Sequence, residues 1–69
     1  MENFKRGDLV ICMDNNCTKY LQIGVVDTIN FSATLWSDVF VVKYPHDEIE
    51  EYKKSYMEES FRKIISERM

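Results

Sequence analysis

The feature that most constrains this chain is a change of apolar period at Pro45. Before it, apolar residues come in short runs of β-formers; after it, they recur at helical spacing up to the last residues. The pattern predicts an α+β chain of one domain over residues 1–69. A small antiparallel sheet or barrel over residues 4–44 is followed by a long amphipathic helix over residues 46–68.

The first part divides into runs. Lys5-Arg6-Gly7-Asp8 reads as a turn into a strand over residues 9–13, and Asp14-Asn15-Asn16 supplies residues that tolerate left-handed backbone where the chain reverses. A second strand is expected over residues 20–29, with Leu21, Ile23, Val25 and Ile29 on one face and Gly24 marking a bend or bulge. The last strand, residues 39–44, is apolar on both faces, which calls for a second layer. Connections before Pro45 are too short for helical crossovers, so the strands are expected to be antiparallel.

In the second part, Asp47 is placed as a helix N-cap and Glu50 as its capping-box partner. Glu50/Lys54, Glu58/Arg62 and Glu59/Lys63 have the spacing of stabilising helical pairs. Ile49, Tyr52, Tyr56, Met57, Phe61, Ile64 and Ile65 form the apolar stripe. A continuous helix here would be roughly 33 Å long at about 1.5 Å per residue, against about 17 Å for a five-residue strand. Unless it breaks near Ser55 or Ser60, its last turns overhang the sheet and offer Phe61, Ile64 and Ile65 to a second molecule. That geometry motivates an expectation of self-association.

The run Lys5-Arg6-Gly7-Asp8-Leu9-Val10, then Ile23-Gly24-Val25-Val26, then Phe40-Val41-Val42-Lys43-Tyr44 resembles small SH3-like barrels of the KOW and Tudor types over about residues 4–44. The chain departs from that pattern in having fewer glycines and a long expected helix in place of a short final turn and strand. The resemblance implies a binding module and names no ligand. Small chains of this kind also resemble many proteins of bacteria and their phages.

Composition narrows the function classes. A formal charge of −3 argues against broad binding to a phosphate backbone. No apolar run reaches the ~18–20 residues of a membrane span, and the first apolar run is too short for an export signal, so a cytoplasmic, non-membrane protein is expected. Cys12, Cys17 and His46 are the soft metal ligands, but they lack the paired spacing of a zinc site, and Asp14-Asn15-Asn16 lacks the glycine and distal glutamate of a calcium loop. Neither metal nor cofactor is expected. His46 has no nucleophile motif to serve and Gly7 and Gly24 are isolated, so no enzyme is expected either.

Aromatic residues remain. Trp36, Phe31, Tyr20 and Tyr44 are candidates for an exposed platform, although a small core would also consume aromatics. Trp36, beside Ser37-Asp38, is the strongest anchor candidate because tryptophan is enriched at binding hot spots. The expectation is a non-enzymatic binding or regulatory module acting through protein contacts, with Trp36, Tyr56, Phe61, Ile64 and Ile65 as the protein-binding set. One alternative is a nucleic-acid module using Lys5, Arg6, Lys19 and Lys43. Another is an acidic decoy, in which Asp47, Glu48, Glu50 and Glu51 imitate phosphate charge before a nucleic-acid-binding partner.

Overall fold

The computed structural model describes residues 3–64. Five strands, β1 Leu9–Cys12, β2 Ile23–Ser32, β3 Ser37–Tyr44, β4 Glu48–Lys53 and β5 Phe61–Ile64, form one sheet in the order β4-β3-β2-β1-β5. Every neighbouring pair of strands is antiparallel, as the short connections require. One helix, α1 Lys54–Ser60, separates β4 from β5.

The long C-terminal helix is therefore absent, and the α+β reading gives way to a mostly β chain with a seven-residue helix. Residues 48–53 pair along β3 instead, from Tyr44 opposite Glu48 to Val39 opposite Lys53. The physical reason lies in the backbone. Val10 and Cys12 of β1 are fully buried, and a strand at the centre of a core needs hydrogen-bond partners on both edges. β2 supplies one edge and β5 the other, with Val10 opposite both Gly24 and Lys63. Tertiary pairing overrides the helix propensity of a Glu- and Lys-rich segment.

Splitting the segment into strand, helix and strand also disposes of the overhang. Met57 and Phe61 are buried in the core, and Ile64 pairs with Leu9 in the sheet. Asp47 is no N-cap: Pro45–Asp47 is a 3-10 turn in which His46 (φ 68°) and Asp47 (φ 62°) both take left-handed backbone to reverse the chain into β4. The three expected helical ion pairs cannot form as such, because Glu50 lies in β4 and Arg62 and Lys63 lie in β5; the i,i+4 pair present is Lys54–Glu58, at 4.0 Å. Ile65 lies outside the described residues.

The core is assembled from Phe4, Val10, Cys12, Val26, Phe40, Val42, Tyr44, Met57 and Phe61. Its second layer is α1 together with Phe4, whose ring meets Phe40 edge-on at 6.0 Å. In β2 the register shifts between Val26 and Thr28, so that Val26 opposes Val42 and Ile29 opposes Phe40. This bulge puts Val26 and Ile29 on the same face despite their odd separation, so Ile29 does not share a face with Ile23 and Val25. Gly24 is not the bulge. It is where β2 is crossed by large side chains, since a Cβ there would stand 2.6 Å from Val42 Cγ1 and 2.9 Å from Tyr44 Cε1.

Candidate functional site

The turn between β2 and β3 carries the most exposed aromatic surface. Trp36 is 79% exposed, Phe31 59% and Leu35 48%. The Phe31 and Trp36 rings meet edge to face, with centroids 5.5 Å apart, and the Leu35 N–H donates to Ser32 Oγ at 3.2 Å, which ties the turn to the end of β2. Trp36 takes left-handed backbone (φ 54°) as the chain reverses from β2 into β3, as His46 and Asp47 do before β4. Beside the tip, Asn30, Leu35, Val39, Glu51 and Tyr52 line an open cleft of about 250 Å³.

Tyr56, Phe61 and Ile64, the other described members of the expected protein-binding set, are not at this tip. Tyr56 stacks on Tyr52 at 5.6 Å and donates its hydroxyl to Asp14 Oδ2 at 2.8 Å. Phe61 is committed to the core, and Ile64 is half-buried in β5. Tyr44 is buried, whereas Tyr20 is exposed beside an isolated bridge to Cys12.

The basic residues are dispersed. Lys19 pairs with Glu48 and stands over the Tyr44 ring, 5.3 Å from its centroid. Lys43 lies in the cross-strand row of Val25 and Ile49 at the far end of β3 from Trp36, and Lys5 and Arg6 occupy the N-terminal turn region. The carboxylates of residues 47, 48, 50 and 51 lie along the 3-10 turn and edge strand β4. Among the described residues, no group of three or more His, Cys, Asp or Glu side chains is arranged to hold a metal ion. No described helix is long and apolar enough to cross a membrane.

Two features escaped sequence reasoning. The outer face of the sheet is apolar across several strands, with Leu9 opposite Val25, Ile11 opposite Ile23, and Ile49 opposite Lys43; Leu9, Ile23, Val25 and Ile49 are all exposed. The alternation of Leu21, Ile23 and Val25 carried this signal, but the opposite face, Gly24 and Val26, is the one that packs. The second feature is a polar seam of Cys12, Asp14, Cys17, Tyr44, Tyr52 and Tyr56, drawn from four separate segments, for which no spacing in the sequence gives notice.

In that seam the Tyr44 and Tyr52 hydroxyls are 3.0 Å apart and Tyr52 Oη lies 3.9 Å from Cys17 Sγ. Burial pushes Tyr44 up to about 12. Burial, then the hydrogen bond with Tyr44, raises Tyr52 further, and burial followed by the bond to Asp14 raises Tyr56. Asp14 is held below its ordinary value by the Asn16 N–H and then by the Tyr56 hydroxyl. The two thiols diverge: burial raises Cys12, while for Cys17 burial is outweighed by hydrogen bonds led by the Lys19 N–H, and its pKa falls.

No protein-family model, curated protein or solved structure matches this chain.

Proposed function

We propose that the protein is a non-enzymatic binding module that docks onto another protein through the β2–β3 tip, with Trp36 as its anchor. The observation that carries this reading is a tryptophan 79% exposed at the β2–β3 turn, with the Phe31 ring edge-on beside it. Leu35 and the adjoining cleft give a partner apolar surface to cover around that anchor. An all-antiparallel small sheet accords with the resemblance of residues 4–44 to SH3-like binding modules.

The test is affinity capture from the native cell, identification of the partner by mass spectrometry, and titration of the purified partner against wild type and variants. Trp36→Ala should leave the melting temperature unchanged and weaken binding by about 2 kcal/mol or more, roughly thirtyfold. Undiminished binding by Trp36→Ala overturns the reading. So does binding lost only in Ile49→Ser, which would move the interface to the outer sheet face. Single-stranded oligonucleotide binding that vanishes when Lys5 and Arg6 are neutralised would replace the protein partner with a nucleic acid.

A further inference from the structure

We propose that Cys12 and Cys17 are a peroxide-oxidisable dithiol, in which Cys17 is oxidised first and Cys12 resolves it into a reversible intramolecular disulfide. The main-chain carbonyl of Asp14 brings the two residues together. It accepts the Cys17 N–H at 2.9 Å and the Cys12 thiol at 3.8 Å, so one oxygen atom is shared by both cysteines. The Cys17 side chain packs against the core cluster of which Cys12 is a member.

The two sites are unequal in the way such a pair requires. Cys17 is part-exposed in the turn after β1, and its Sγ accepts the Lys19 N–H at 3.4 Å with the Tyr52 hydroxyl 3.9 Å away, a setting that favours the thiolate. Cys12 is fully buried at the end of β1, shielded from oxidants in bulk water but within the same core neighbourhood as Cys17. Access thus selects the first thiol and proximity the second.

The chemistry balances with hydrogen peroxide as oxidant. The Cys17 thiolate attacks one peroxide oxygen, the O–O bond breaks, and sulfenic acid forms while hydroxide leaves and takes up a proton as water. Cys12 then loses its thiol proton and attacks the Cys17 sulphur; the S–O bond breaks and a second water departs. Two thiols are oxidised and one peroxide is reduced to two waters. A dithiol reductant reverses the product by exchange.

The experiment treats the full chain with hydrogen peroxide, blocks remaining thiols with N-ethylmaleimide, and reads intact mass. The expected product is a monomer lighter by two hydrogen atoms, carrying no maleimide and restored by dithiothreitol. Cleavage before Asp14, which lies between the cysteines, should leave two fragments joined until reduction. In the untreated chain Cys17 should alkylate faster than Cys12 by about tenfold or more. Cys12→Ala should stop at a Cys17 sulfenic acid that dimedone traps. Disulfide-linked dimers as the main product, equal alkylation of the two thiols, or sulfinic acid on Cys17 with Cys12 still maleimide-labelled would each overturn the proposal. None of these readouts depends on the docking role of Trp36.

Discussion

Gly24 shows how little room a single position has in a core this small. Its missing side chain is occupied by Val42 and Tyr44, whose atoms would meet a Cβ at 2.6 and 2.9 Å. Gly24→Ala should therefore cost about 1–3 kcal/mol by overpacking, and each kcal/mol lowers the melting temperature of a domain this size by roughly 4–8 °C. An unchanged thermal transition would mean that β2 and β3 separate there freely. Tyr44 makes a second point at this scale. Its folded pKa of about 12 lies above the ordinary 10, so the fold favours the protonated phenol. That contribution is complete below pH 10 and is lost as pH rises from 10 through about 12, with Tyr52 acting in the same direction. Alkaline titration should show unfolding by circular dichroism together with late phenolate absorbance, and Tyr44→Phe should shift the unfolding to higher pH. Phenolate absorbance complete at the ordinary value while the sheet stays intact would contradict this.

Among the elements, β5 is short yet joins the sheet to the aromatic cluster. Its four residues give β1 a second hydrogen-bonded edge and place Phe61 against Tyr52 at 4.8 Å and Tyr56 at 6.1 Å. A chain ending at Ser60 should show no cooperative thermal transition, because it exposes the buried backbone of Val10 and Cys12 as well as removing Phe61. A sharp melt of that truncated chain would show that β5 is an ornament. The same element marks where the sequence stops being legible. Residues 9–13 and 39–44 read as strands because β-branched and aromatic residues bounded by turn residues leave few alternatives, and β1 and β3 fall there. After Pro45, Tyr52, Tyr56, Met57, Phe61 and Ile64 have helical spacing, but Tyr52 reaches the core from a strand and Phe61 from another. The residues that had to be buried were legible; the backbone that buries them was set by the unpaired edges of β1 and β3, which lie far away in sequence. Trp36 was legible as an anchor candidate from its turn-rich setting alone, whereas the seam joining Cys17 to Tyr52 depends on that unforeseen pairing.

At the scale of the whole molecule, measuring 38 × 26 × 24 Å, the aromatic residues separate by task. Phe4, Phe40, Tyr44 and Phe61 hold the core, and Tyr52 and Tyr56 close its edge, while Trp36 and Phe31 stand outside at the β2–β3 tip. Trp36 is also the chain's one tryptophan. Its indole emission is governed by water in the folded and unfolded chain alike, so denaturation should barely move its wavelength. A partner covering the tip would instead drive the emission to the blue. Folding and docking thus report through different optical channels: the tyrosines and the peptide bond follow the fold, and the lone indole is left free to signal occupancy.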